Sequence, residues 1–249
     1  MNSSAELLSF KNVSVRYTEG SFSDRNALDD VTFSLMQGSG FVALTGPNGS
    51  GKTTALRVIS GQLRPIHGSV LLCGQDVTDE PSHKRHGLGC VFQRAIDGMC
   101  SSLTVEENLC LMLVDGGPNL LRPLVTPFRK KRVLDRARQI VSGEGRHTSL
   151  LADLKGVLQR YPAEFSGGET QQLCLLALLL QEPPANLVLA DEPTLNLDQV
   201  NRQICIEMLV ALSRVATVLL ATHDKELIDL CGRILRLEQG RLVRDSETV

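Results

Sequence analysis

Short apolar runs alternate with longer amphipathic stretches along most of this chain. Phe41-Val42-Ala43-Leu44-Thr45, Asn186-Leu187-Val188-Leu189-Ala190 and Val215 to Leu220 are apolar segments of strand length, the pattern of strands buried on both faces. Each leads into a helical pattern. Leu56, Val58 and Ile59 follow the first, Gln199 to Arg214 follows the second, and a short helix separates the third from Arg233-Ile234-Leu235-Arg236-Leu237. Such alternation predicts a mainly parallel sheet with helices on both faces. Val13 to Tyr17, Val31 to Leu35 and Ser69 to Cys73 cluster or alternate like strands and predict a small β-rich layer beside that sheet. Between residues 94 and 165 the character changes. Thr104-Val105-Glu106-Glu107 is a capping-box pattern opening an apolar helix through Leu113. A break at Gly116-Gly117-Pro118, a proline-punctuated loop and a charged helix from about Arg129 follow, so this stretch reads as a helical insertion.

The strand at 41 to 45 runs directly into Gly46-Pro47-Asn48-Gly49-Ser50-Gly51-Lys52-Thr53-Thr54, and a helix follows. Strand, glycine-rich loop and helix in that order are what a phosphate-binding loop requires. Glycines let backbone N–H groups turn inward around phosphate oxygens without a Cβ in the way. Lys52 would reach the β- and γ-phosphates, and the Thr53 hydroxyl would hold Mg²⁺. The alternative, a flexible surface loop, does not explain the flanking strand and helix. The motif implies a nucleoside triphosphate site.

Further candidate residues stand at the ends of other apolar strands, where ligands collect in parallel sheets. Asp191 and Glu192 close the strand at 187 to 190. Asp191 would complete the metal shell begun by Thr53, and Glu192 would polarise the attacking water. The plainer alternative is a pair of acids favoured at a helix start. His223 ends the strand at 215 to 221 and could hydrogen-bond the γ-phosphate. Gln93 closes the strand-like Gly89-Cys90-Val91-Phe92 and offers a further Mg²⁺ or water ligand where the insertion begins.

Ser166-Gly167-Gly168-Glu169 is a second capping box, yet it carries two glycines in the first turn of a very apolar helix. Exposed N–H groups at a helix start form an anion site. Since the loop at 46 to 54 already takes the phosphates of this chain, this second site would bind the γ-phosphate held by another copy. A composite site between two copies is the expectation.

Composition narrows the setting. The chain has 249 residues with a net charge of −2, which gives no support to general nucleic-acid binding. Its start lacks the basic and apolar segments of a secretory signal, and the longest apolar run, Leu173 to Leu180, is far short of a membrane span. The expected location is cytoplasmic. The seven cysteines have no C-x-x-C spacing and read as reduced packing residues.

Taken in order, Gly46–Thr54, Gln93, Ser166–Glu169, Asp191-Glu192, Asp198 and His223 resemble the ATP-binding subunit of ABC transporters over nearly the whole chain. The resemblance implies an α/β fold in one domain spanning 1–249. Residues 1–93 and 166–249 would form a P-loop NTPase core with an antiparallel β layer, and 94–165 a helical subdomain. It implies ATP and Mg²⁺ as cofactors, Lys52, Glu192 and His223 as catalytic residues, and Tyr17 as the aromatic that stacks on adenine. Asp198 would belong to the loop that crosses the interface of a head-to-tail dimer. Other implied partners are an integral membrane permease, which holds the chain at the inner face of the membrane, and for an importer an extracytoplasmic solute-binding protein. Tyr161-Pro162-Ala163-Glu164 and Asn196-Leu197-Asp198 resemble the lipoprotein-release and macrolide-export type. Gly98 to Leu109 resembles putative tryptophan/tyrosine-type uptake ATPases. Import is expected over export, with a soluble or division-type accessory ATPase as the further alternative. The chain departs from the family at Phe165, where leucine is usual, and at Gln172 and Ala177, where arginines are usual; these bear on the polar contacts of the interface.

Overall fold

The computed structural model describes residues 5–17, 26–112, 125–143 and 153–247. The predicted helix end at Leu113 and the break at 116–118 lie outside them. The chain divides into two compact units: Met1–Cys90 with Asn186–Glu192 and Ser213–Val249, and Val91–Ala185 with Pro193–Leu212.

The first unit carries two sheets. One is antiparallel, in the order β2-β1-β4-β5, from β1 (Glu6–Arg16), β2 (Asn26–Met36), β4 (His67–Leu72) and β5 (Gln75–Asp76). The other has the order β10-β9-β3-β8-β7-β6, with β3 (Phe41–Thr45), β6 (Leu88–Val91), β7 (Leu187–Asp191), β8 (Thr217–Ala221), β9 (Arg233–Glu238) and β10 (Arg241–Glu247). Its centre is parallel, β3 pairing with β8 and β9 and β7 with β8, while β10 closes one edge antiparallel to β9. The expected α/β fold, with a mainly parallel sheet and an antiparallel layer, is the observed one.

Helix α1 (Lys52–Ile59) is packed into a core shared by both sheets. Leu44 of β3, Leu189 of β7, Leu219 of β8 and Leu235 of β9 meet Ala55 and Ile59 of α1, and Leu8, Phe10 and Leu35 come from the antiparallel layer. The Phe10 and Phe33 rings stack with centroids 5.0 Å apart. Because β3 and β8 are apolar but for Thr45 at the end of one and Thr217 at the start of the other, they can be buried on both faces, and the chain leaves β3 aimed at the loop that follows.

Helices α2 (Val105–Met112), α3 (Pro127–Gly143), α4 (Leu154–Leu158), α5 (Gly167–Leu180) and α6 (Gln199–Ser213) make up the second unit, and α7 (Lys225–Asp229) returns to the first. That second unit reaches beyond the 94–165 segment and takes in the leucine-rich α5, which is buried on nearly all sides. A helix apolar all round has to sit in the middle of its unit, and α2 and α3 pack against it. The Thr104–Glu107 capping box forms as expected: Thr104 N–H donates to Glu107 Oε2 at 2.8 Å and Glu107 N–H to Thr104 Oγ1 at 3.3 Å.

Phe10 is completely buried at the junction of β1, β2 and β4, so Phe10→Ala should lower stability by about 3–5 kcal/mol in urea unfolding followed by circular dichroism. A loss below about 1 kcal/mol would contradict the placement of this core.

Candidate nucleotide site

The loop after β3 is wedged between the two sheets. A Cβ on Gly46 would lie 2.1 Å from the Leu237 carbonyl oxygen, and one on Gly51 would lie 2.5 Å from that of Ala27. Both glycines also have positive φ, 142° and 106°, so each is required by space and by conformation. Gly51 precedes α1 without any side-chain cap. The first N–H groups of α1 therefore face the loop as free donors at the positive end of the helix. Lys52, 8% exposed, curls back and donates from Nζ to the carbonyls of Gly46 at 2.8 Å and Pro47 at 3.2 Å. Its charge is thereby fixed over the loop. Pro47, Asn48 and Gly49 are exposed, and the buried Ser50 hydroxyl has no partner among the described residues. Free amides, a fixed ammonium and an orphaned hydroxyl make a cradle that fits the phosphates of a nucleotide.

Two oxygen donors meet beside it. Thr53, on the first turn of α1, donates from Oγ1 to Asp191 Oδ1 at 3.2 Å. Burial pushes the Asp191 carboxyl above its ordinary value, against the Thr53 hydrogen bond, and the neighbouring Glu192 adds to the rise. The positive charges of Arg57 and Lys52 pull the other way without offsetting that burial, so the carboxylate is short of full compensation. A hard divalent cation taking oxygen ligands supplies the missing charge, so the pair fits Mg²⁺. Among the described residues no group of three or more His, Cys, Asp or Glu could hold a metal, so phosphate and water oxygens would fill the remaining positions.

Glu192 turns away from Asp191 through a left-handed backbone, φ 46°, uncommon for a residue with a side chain. Its N–H donates to the Ala221 carbonyl at 2.8 Å, tying the turn to the end of β8. There the carboxylate meets His223 Nδ1 at 2.9 Å and accepts from Thr222 Oγ1 at 3.4 Å. The Glu192 side chain is 12% exposed against 65% for His223. A mostly desolvated carboxylate aimed by an imidazole is the arrangement of a general base with its orienting group. Tyr17, 52% exposed, closes this unit's set, its hydroxyl 3.4 Å from Thr54 Oγ1.

The remaining expected residues belong to the second unit. Gln93 is exposed just past β6, two positions before the 3₁₀ turn Ala95–Gly98. That turn packs on α5, where Cys174 Sγ donates to the Ala95 carbonyl at 3.1 Å. Ser166 caps α5 reciprocally with Glu169: Ser166 N–H donates to Glu169 Oε2 at 2.8 Å and Glu169 N–H to Ser166 Oγ at 3.3 Å. Ser166 and Gly167 are exposed, whereas Gly168 is buried against Asn201. Asp198 caps α6, accepting from the N–H groups of Val200 and Asn201 at 3.0 Å, and those bonds hold its carboxyl below the ordinary range. Sequence reasoning missed Thr222 and Asn201. Thr222, adjacent to His223, had a positional signal, whereas Asn201 had none.

Comparison with known proteins agrees with this geometry. Residues 28–195 match the family model described as ABC transporter. An uncharacterized ABC transporter ATP-binding protein of Mycobacterium tuberculosis is 34% identical, over 97% of this chain and 92% of its own length. The osmoprotectant import ATP-binding protein OsmV of Salmonella typhimurium is 28% identical over 96% of this chain. The chain spans 58% of OsmV's length, and a similar share of the carnitine and choline transport relatives. Among solved structures, the ATP-binding cassette MJ0796, in a dimeric post-hydrolysis state bound to ADP and Pi, superposes with a TM-score of 0.75 at 26% identity, covering 97% of this chain and 98% of that one. This chain belongs to the ABC transporter family.

The raised Asp191 carboxyl has a stability consequence of definite sign. Its ionised form is disfavoured in the fold, so its contribution falls as pH climbs from the ordinary carboxyl value through the raised one, and stays low at neutral pH. Asp191→Asn keeps a hydrogen-bond acceptor for Thr53 and removes the charge. The nucleotide-free variant should melt at a higher temperature than the parent at pH 7, while losing the further stabilisation that Mg-ATP gives the parent. A lower melting temperature without nucleotide would contradict the burial argument.

Proposed function

We propose that this chain powers the movement of a small solute across a membrane through a separate permease, two copies closing head to tail around two ATP molecules. The observation that carries the reading is the convergence, in one unit, of the uncapped α1 start with Lys52, the Thr53–Asp191 pair and the Glu192–His223 pair.

In this reading Gly46 to Thr54 bind the phosphates, and Tyr17 stacks on the base with its exposed ring. Thr53, Asp191 and Gln93 would hold Mg²⁺, which would neutralise phosphate charge. Glu192 accepts a proton from the water that attacks the γ-phosphorus, and His223 keeps that carboxylate aimed. Ser166, Gly167 and Gly168 of one copy present their N–H groups to the γ-phosphate on the other, with Asp198 on the same surface. The dimeric MJ0796 cassette with ADP and Pi supports such a pairing.

Gln93 at the start of the second unit gives a permease contact there a route to the nucleotide. All of 1–249 then works as one domain, peripheral at the cytoplasmic face of the membrane. Among the described residues no helix is long and apolar enough to cross a membrane, so a spanning path would come from a partner. Import is favoured because relatives covering 96% of the chain are named for osmoprotectant import and for carnitine and choline transport. An extracytoplasmic solute-binding protein would complete such an importer.

Glu192→Gln should lower ATP hydrolysis by roughly 10²–10⁴, the span of a general base. ATP binding should persist, so the variant should accumulate as an ATP-dependent dimer in size-exclusion chromatography with light scattering. Hydrolysis at the parental rate would remove Glu192 from the chemistry. A variant that binds ATP yet stays monomeric would contradict the composite site.

A further inference from the structure

The side chain of Asn201, on the first turn of α6, is held from three sides within the second unit. Its Nδ2 donates to Asp198 Oδ2, and its Oδ1 accepts from Gln172 Nε2 on α5 at 2.6 Å. Its Cβ, Cγ and Nδ2 lie against the Gly168 backbone so closely that a Cβ there would come within 2.8 to 2.9 Å of them. Gln172 is only 2% exposed, and its other amide atom, Oε1, has no partner among the described residues. The bond to Asn201 is therefore what satisfies this buried side chain.

The polarity of this chain of bonds is forced. Asp198, its carboxyl pulled below the ordinary range by the N–H groups and side chain it faces, is an acceptor only. The end of Asn201 that meets it must be the NH₂, so the other end is the oxygen, and Gln172 must answer with its own NH₂. Neither amide can turn over without setting like against like. The link is directional and joins two exposed features: the Ser166-Gly167 start of α5 and the Asp198 cap of α6.

We propose that Asn201, through Gln172 and Asp198, is a positioning residue that makes the Ser166–Gly168 turn and the Asp198 turn one rigid surface presented to the second copy. The proposal rests on the composite-site reading above. In that reading a single copy holds its nucleotide through Lys52, Thr53, Asp191 and Glu192, and Asn201 is none of these. Its loss therefore acts on closure and not on ATP capture.

Asn201→Leu removes both bonds at similar volume. Asn201→Asp keeps the shape but sets a carboxylate against Asp198. Each is placed in the Glu192→Gln background, and two quantities are measured: ATP affinity at protein concentrations where the chain is monomeric, and the protein concentration at half-dimerisation in saturating Mg-ATP. Monomer affinity should stay within about twofold while dimerisation weakens by about tenfold or more, the size of a lost hydrogen bond to a charged group. Gln172→Leu should weaken it too, and Gln172→Leu with Asn201→Leu should be little worse than Asn201→Leu alone, because the bond between the two is already lost there. Dimerisation as tight as in Glu192→Gln alone, in folded Asn201 variants, would overturn the positioning role and leave the composite site standing. Weakening of monomer affinity in parallel with dimerisation would also overturn it, as general damage to the fold. Failure of Glu192→Gln itself to dimerise would overturn both readings.

Discussion

The site depends on the start of α1, a helix whose first N–H groups have no side-chain cap. Nothing in the local sequence rescues those donors, because Gly51 offers none of the oxygens that usually close a helix start. The surrounding fold keeps the loop open. Leu237 of β9 packs against Gly46 from one side, and Ala27 and Leu28 of β2 pack against Gly51 from another. The loop thus touches both sheets, and neither glycine could carry a side chain without displacing backbone. At the far end Arg85, 4% exposed, donates to the carbonyls of Val58 at 2.7 Å and Ile59 at 2.8 Å, closing the last turn of α1 with positive charge. Gly61 gives that guanidinium room, since a Cβ there would meet Arg85 Nε at 2.6 Å. The helix is pinned at its C-terminus and left unsatisfied at its N-terminus, which is where a phosphate would bind.

The same division of labour holds for the acids. Asp191 and Glu192 are adjacent in sequence, yet their environments separate them. Asp191 continues β7 and faces Thr53, while the left-handed turn at Glu192 swings its carboxylate to Thr222 and His223 at the end of β8. A positive φ on a residue with a side chain costs on the order of 1–3 kcal/mol and persists only where neighbours determine it. Here the backbone bond to Ala221 and the imidazole do so. In the proposed function one acid serves as a cation ligand and the other as a base.

Much of this was legible in the sequence, for reasons that can be named. Strands β3, β7 and β8 are apolar apart from one terminal residue each, Thr45, Asp191 and Thr217, so both their burial and their parallel pairing follow from pattern. The glycine-rich loop and both capping boxes are local motifs whose geometry is set within a few residues. What stayed hidden is set by partners distant in sequence or by turns. Strand β10 is exposed or half-exposed at every position and has no apolar face to detect. Its pairing comes from the Gln239-Gly240 turn, both residues with positive φ, and from Arg233 bonding Asp245 at 2.7 Å. The first half of β1 packs Leu7, Leu8, Ser9 and Phe10 inward without alternation, and two-residue β5 and five-residue α4 are too short to show a period. Asn201 meets Gln172 across 29 positions, a tertiary contact that no helical pattern encodes.

The central claim is that Lys52 and the α1 start form the phosphate cradle, and it is tested most directly by calorimetric titration of ATP into the parent and into Lys52→Ala. Among the described residues the buried Lys52 ammonium hydrogen-bonds the loop's own carbonyls, of Gly46 and Pro47, so its removal should leave the fold intact. Affinity for ATP should fall by about a hundredfold or more, as expected when a desolvated charge on phosphate is lost, with the thermal transition of the nucleotide-free chain little changed. Parental affinity in a folded Lys52→Ala protein would contradict the account.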